Sequence, residues 1–402
     1  MKTNIVQHIV RQIPHSTLHT ILFLAAFLLL FSWTDVAPAD VVFITLGVAT
    51  VAIIVYRRRI GELFRDGKAY AVLAFAAYVS LSFFLISEQS YVFGLTTLYG
   101  VGVYFLVRYW ATTDAGASAW PIRGYLAAAI LSSLLGAGAY AAHALSLVGR
   151  DTLFFWQGDV RVAVFFDDPV VYGAFLAPAL LICLVYALST TRSAVRGLST
   201  VAFFLIYLNI ILSGSRGAWL NVGIGLAVLA ALAVFNKNPW RLFSLRRTVS
   251  VGISSAIIGL LVLFIIPLGS ETYYEATLKD RLVTSDAPRF ATWKAAPVFS
   301  SARPPAEKIF GSGSGTFERY SPDGISAHNT YLRVLFEQGV LGLVLFTLFL
   351  LAALYSLIRR IQREPWQIRQ WFFLAALSGA LVQAFFIDAL HWRHLWILLG
   401  LL

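Results

Sequence analysis

The chain has 402 residues, of which 59% are hydrophobic and 13% charged, with mean hydropathy +0.76 and net charge +11. Soluble domains are nearer 45–50% apolar and about 25% charged, so a water-soluble globule is excluded. The one cysteine, Cys183, excludes an intramolecular disulfide and any cysteine-based metal centre.

From the N-terminus, Met1 to Thr17 is mixed polar, and the first apolar run is long with no small-residue cleavage site after it. It reads as a span and not as a cleaved signal. Apolar blocks of the length needed to cross about 30 Å of hydrocarbon then recur along the chain. They lie at about 17–33, 39–56, 69–87, 90–107, 124–146, 170–188, 197–213, 217–235, 248–267, 330–358, 370–387 and 391–402. An all-α polytopic membrane protein of about twelve spans follows. The alternating strands of an outer-membrane barrel are absent from the pattern, and no internal repeat is visible.

Loop charge orients the spans. With the N-terminus in the cytoplasm, the cytoplasmic loops collect Arg57-Arg58-Arg59, Arg65 and Lys68, then Lys237, Arg241, Arg246 and Arg247, then Arg359, Arg360, Arg363 and Arg369. The short outer loops hold only Arg150, Arg161, Arg216 and Arg393. The positive-inside rule therefore places both termini in the cytoplasm and the large polar loop outside. The remaining positive charge suits anionic lipid or phosphate, and nucleic acid is not an expected partner. Three parts result: residues 1–267 with nine spans, 268–329 as the outer loop, and 330–402 with the last three spans.

Within the loop, Glu271–Val283 has helical composition, and Pro288 suits the first turn of a helix carrying Arg289, Phe290 and Trp293. Gly311-Ser312-Gly313-Ser314-Gly315 reads as a flexible turn, and Ser326 as the cap of one long helix starting at 330. The loop's many aromatics suit short helices half-embedded at the lipid surface.

The candidate chemistry sits at outer span ends. Arg161 precedes Asp167-Asp168-Pro169-Val170-Val171-Tyr172-Gly173, just before the sixth span. Arg216 lies in Ser213-Gly214-Ser215-Arg216-Gly217-Ala218-Trp219, where two spans are joined by almost nothing. Arg289 lies in the outer loop, His328 closes it, and Asp388, His391, Arg393 and His394 form the last outer turn. An arginine at membrane depth costs about 2.5–3.5 kcal/mol, which makes it a functional candidate. Guanidinium groups grip phosphate oxygens in pairs, so three on one face point to an anion such as a polyprenyl diphosphate. Structural readings stand beside this one. Arg161 can pair with Asp167 or Asp168, Arg216 can snorkel to headgroups, Arg289 can be a solvated charge, and His328 can be a packing residue. Trp219 and Trp293 can be interface anchors. Metal chemistry is not indicated: Asp167-Asp168 is not the Asp-x-Asp clamp, and no His/Asp/Glu set has ligand spacing.

Taken in order, these stretches, with Phe310 to Phe317 and His328-Asn329-x-Tyr331-Leu332 running on to Glu337-x-Gly339-x-x-Gly342, resemble the O-antigen ligase / Wzy superfamily. The resemblance implies a helical glycosyltransferase of the C type, with its outer loop over the active site, in the Gram-negative inner membrane. It implies transfer of a glycan from undecaprenyl diphosphate to a sugar of lipid A-core on the periplasmic face, without metal or cofactor. Arg216 and Arg289 would hold the diphosphate, Arg161 would be a third contact, and His328 would activate the acceptor hydroxyl. Asp168, Tyr172, Asn329, Tyr331, Asp388, His391 and Arg393 are the possible supporting residues. Nearby arginines would keep the histidine neutral, as a base requires, and displacement from the face opposite the diphosphate predicts inversion. A purely positioning His328 and an O-antigen polymerase both remain open. A lipid or sugar transporter is a further alternative, although it calls for midspan charge and repeated halves.

Overall fold

In hydrocarbon every backbone N–H and C=O must be satisfied inside its own segment, so the apolar blocks become helices. The computed structural model describes residues 15–31, 37–57, 61, 64, 67–86, 90–114, 116–155, 161–235, 244–269, 292–294, 296, 301, 303–321, 324, 326–364 and 367–402. Among these residues the regular structure is helical, apart from one isolated bridge between Phe155 and Val162. In chain order the helices are α1 (His15–Phe27), α2 (Pro38–Arg57), α3 (Gly67–Leu85), α4 (Tyr91–Thr113), α5 (Ala119–Ala144), α6 (Pro169–Ser189), α7 (Ser193–Leu212), α8 (Arg216–Phe235), α9 (Leu245–Gly269), α10 (Pro305–Phe310), α11 (Phe317–Tyr320), α12 (Thr330–Glu337), α13 (Gly339–Arg363), α14 (Ile368–Gln383) and α15 (Arg393–Leu401).

Eight of them, α2 to α8 and α13, are long and apolar enough to cross a membrane, as in a multi-pass membrane protein. The expected count of twelve is not reached among the described residues. Among the described residues α1 shows 13 residues before a 3-10 turn at Leu28–Leu30, α14 shows 16, and α15 shows 9. The 25-residue α9 stands where the ninth span is expected. The helix expected over Glu271–Val283 and the first part of the one after Pro288, with Arg289 and Phe290, lie outside the described residues, whereas residues 292–294 and 296, with Trp293, are helical.

The chain forms two compact units. One comprises residues 129–291 and 357–387. Its centre is α6, 89% buried along its apolar length against 22% for α8, as expected of a helix apolar all round. Small residues let its neighbours close in. A Cβ on Gly173 would come within 2.8 Å of Ser215 and 2.9 Å of Ala218, and one on Gly379 within 2.4 Å of the Asn221 carbonyl. Close backbone approach of this kind is how helices associate where lipid offers no hydrophobic drive. The Asn221 amide also donates to Gln383 Oε1 across α8 and α14, at 2.8 Å.

The other unit comprises residues 1–128, 292–356 and 388–402. In it α15 lies against α4, with Trp396 over Gly100 and Gly400 against the Tyr104 carbonyl. The long helix expected from 330 is broken at Gln338, because Gly339 adopts φ +66°, a conformation that only glycine enters freely. The break frees carbonyls at the end of α12, and the Gly-Ser-Gly-Ser-Gly stretch satisfies them. Ser312 N–H donates to the Phe336 carbonyl at 3.2 Å and Gly313 N–H to the Glu337 carbonyl at 2.9 Å. Gln338 Nε2 donates to Ser314 Oγ at 2.8 Å, and Tyr78 Oη donates to the Phe310 and Gln338 carbonyls at 2.6 and 2.9 Å. The stretch expected to be flexible is thus a fixed plug, since it supplies the bonds that the helix break leaves open.

Candidate functional site

In the 129–291/357–387 unit, polar groups gather where α6 begins and α7 turns into α8. Arg161 is 1% exposed, and its Nε donates to the Ser213 carbonyl at 3.0 Å. Val162 N–H donates to the Leu212 carbonyl at 3.2 Å. These two bonds tie the segment before α6 to the turn that ends α7. Gly214 takes φ +59°, Ser215 Oγ accepts from Ala218 N–H at 3.3 Å as the cap of α8, and Arg216 is the first helical residue, half-buried. Gly173 allows this turn to lie against α6. Asp168 caps α6 through Oδ1, which accepts from Val170 N–H at 2.6 Å. Tyr172 is buried and donates to Asn209 Oδ1 at 3.2 Å, while Asn209 Nδ2 donates to the Ser133 and Leu205 carbonyls at 2.8 and 2.9 Å. The Trp219 indole, expected to anchor at the interface, donates back to the Ile210 carbonyl at 3.3 Å.

In the other unit, His328 has φ +43°. For a residue with a Cβ this left-handed conformation costs on the order of 1–2 kcal/mol, so the surroundings must impose it. They do so from both sides. Trp293 Nε1 donates to the Ala327 carbonyl at 2.9 Å. Asn329, and not Ser326, caps α12, with Oδ1 accepting from Leu332 N–H at 3.0 Å. Ser326 Oγ instead accepts from Arg333 Nη2 at 2.8 Å. Tyr331 sets its ring beside Phe346, with centroids 6.4 Å apart.

Arg333 is buried and meets three carboxylates. Its Nε pairs with Asp388 Oδ2 at 2.6 Å, its Nη1 donates to Glu337 Oε1 at 2.8 Å, and its Nη2 donates to Glu318. Burial works against its charge, but Asp388, Glu337 and Glu318 outweigh that and raise its pKa. Burial pushes the Glu337 carboxyl up to about 7, against the pull of Arg333 and of the Gly315 N–H. Two carboxyls crowding beside it act in the same direction as burial.

The last turn joins this cluster: Ala389 N–H donates to Thr330 Oγ1 at 2.8 Å. His391 Nε2 lies 3.2 Å from Thr97 Oγ1, and burial holds its imidazole below the ordinary value. Arg393 forms a two-pronged ion pair with Asp40, at 2.5 and 2.6 Å. His394 is stacked between Tyr125 and Trp392.

The structure therefore brings Arg161, Arg216, Asp168 and Tyr172 together in one unit. It brings His328, Asn329, Tyr331, Asp388, His391 and Arg393 together in the other. Arg289 lies outside the described residues. Sequence reasoning missed Arg333 and Glu318. The spacing of Arg333 to Glu337, i to i+4 on a helix, was a usable signal, whereas the links to Glu318 and Asp388 are not local.

The family model described as O-antigen ligase matches residues 201–347. No curated protein matches the chain. The matched stretch takes in Arg216, His328, Arg333 and Glu337.

Proposed function

Residues 201–347 are a domain of the O-antigen ligase / Wzy superfamily, and from that premise we propose that the protein is an O-antigen ligase. Members of this family are glycosyltransferase-like enzymes of lipopolysaccharide synthesis. In this reading the donor is a glycan on undecaprenyl diphosphate and the acceptor a sugar hydroxyl of lipid A-core. The site faces the periplasm from a Gram-negative inner membrane, both chain ends are cytoplasmic, and the architecture is that of a C-type glycosyltransferase.

The acceptor oxygen attacks the anomeric carbon as the bond from that carbon to the diphosphate oxygen breaks. The hydroxyl proton passes to the His328 imidazole, and the diphosphate leaves with the bonding pair. Arg216 and Arg289 are assigned to the departing charge, which guanidinium groups bind in pairs and without titrating near neutral pH. Arg161 is assigned as a third diphosphate contact, and the Nε it gives to the turn that starts α8 supports a share in aiming Arg216. Attack opposite the leaving group inverts the anomeric centre. The charge of the leaving group is met by arginine, so no metal is required.

The observation that carries this reading is the left-handed His328, fixed from both flanks inside the matched domain. Strain held in place by surrounding bonds marks a residue whose position matters. An O-antigen polymerase belongs to the same superfamily and would use the same groups, with a second lipid-linked glycan as acceptor.

The deciding experiment supplies purified protein with lipid-linked glycan and lipid A-core, with and without EDTA. Glycan joined to the core, with free undecaprenyl diphosphate and no effect of EDTA, is the expected outcome. Lengthened lipid-linked glycan with bare core selects the polymerase. Activity lost in EDTA and restored by Mg²⁺ contradicts the metal-independent displacement.

A further inference from the structure

Arg333 is a buried cation whose polar partners come from four places in the sequence. Ser326 lies two residues before His328 and Glu337 four residues after Arg333, while Glu318 belongs to α11 in the outer loop and Asp388 to the last turn. Its guanidinium also lies 5.4 Å from the centre of the Phe93 ring at the start of α4. Around His328, residue 326 is held by Arg333, residue 327 by Trp293 and residue 329 by its own cap bond. The tie through Arg333 also reaches the loop helix and the last turn.

We propose that Arg333 is the positioning residue for His328. It locks the segment before the histidine, the loop helix α11 and the Asp388 turn into one block, and so sets where the imidazole stands. Three carboxylates answer its charge, so it does not serve the donor diphosphate, unlike Arg216 and Arg289. A guanidinium suits this task because its planar fork bonds in several directions at once, which an ammonium does not reproduce. The effect on glycosyl transfer rests on the ligase reading above, while the effect on the histidine does not.

The test uses the full-length protein in lipid nanodiscs, with Glu318→Gln, Ser326→Ala and Arg333→Lys compared at equal folded amounts. Glu318 is the mildest site, since 30% of its side chain is exposed, so that variant stands even where Arg333→Lys fails to fold. Two readouts are taken: the rate at which diethylpyrocarbonate modifies His328, followed by peptide mass spectrometry, and kcat with KM for the lipid-linked donor. The proposal expects His328 to react several-fold faster. It expects kcat to fall about tenfold or more, because misplacing a catalytic group by about 1 Å can cost as much as 10²-fold, with donor KM within about twofold of wild type. Unchanged His328 reactivity with unchanged kcat overturns it, and so does a donor KM that rises while kcat holds. Should the wild type transfer no glycan, the ligase reading fails, and the reactivity of His328 still decides this inference.

Discussion

At the scale of the residue, the arginines at these helix ends hold different places. Arg333 meets three carboxylates and Arg393 pairs with Asp40, and Arg216 begins a capped helix within the turn that Arg161 fastens. The account predicts that Arg216→Lys, which keeps the charge but loses the paired grip, raises donor KM by about tenfold. Steady-state kinetics on purified protein checks it, and an unchanged KM goes against the assignment. His328→Ala should lower kcat by about 10²–10⁴-fold, the usual worth of a general base, with donor binding retained. Arg161, Arg216 and His328 could be proposed from the sequence because a charge beside an apolar span stands out. Arg333 was not legible, because the Coulomb partners that define it lie 15 and 55 positions away and only folding brings them near. Asp168 could be named in advance as a supporting residue, but its use as the α6 cap is a matter of backbone geometry.

At the scale of the element, the break between α12 and α13 is what the linear reading could not supply. Apolar residues resume directly after Glu337-Gln338-Gly339, so periodicity alone draws one helix from 330 onward. The cause is a close backbone crossing: a Cβ on Gly339 would lie 2.3 Å from the Ile309 carbonyl, and one on Gly311, at φ +84°, would lie 2.2 Å from the Glu337 carbonyl. Gly339→Ala and Gly311→Ala should each destabilise by more than about 1 kcal/mol, from forced φ and overlap together. Gly47→Ala, with nothing within 4 Å of the new methyl in α2, should be neutral or stabilising by about 0.5–1 kcal/mol. Thermal unfolding of the three variants in nanodiscs measures the contrast.

The same junction carries a pH dependence. Glu337 titrates near 7 in the folded protein against 4.5 for the ordinary carboxyl, so folding favours its protonated form. That stability is complete below about pH 4.5 and is lost as pH rises through 7, with a size on the order of 1–3 kcal/mol. The unfolding temperature should therefore drop between pH 5 and pH 8, and Glu337→Gln should flatten that part of the profile. A wild-type profile rising across this range would contradict it.

At the scale of the whole molecule, composition was enough to announce a multi-pass helical membrane protein, because only a chain that satisfies its backbone within each segment tolerates so much apolar sequence. The number of crossings was less legible. Among the described residues, eight helices are long and apolar enough to cross, while the apolar α1, α14 and α15 show 13, 16 and 9 helical residues. The division into two units was not visible at all, since each is assembled from segments far apart in the chain. The central claim is that Arg216 and His328 serve one glycosyl transfer to lipid A-core. The most direct measurement is a lipopolysaccharide gel from cells whose sole copy carries His328→Ala or Arg216→Ala, with lipid-linked glycan and protein levels assayed alongside. The account predicts uncapped core, accumulated lipid-linked glycan and normal protein amounts for both variants. A ladder identical to that of the wild type would contradict it.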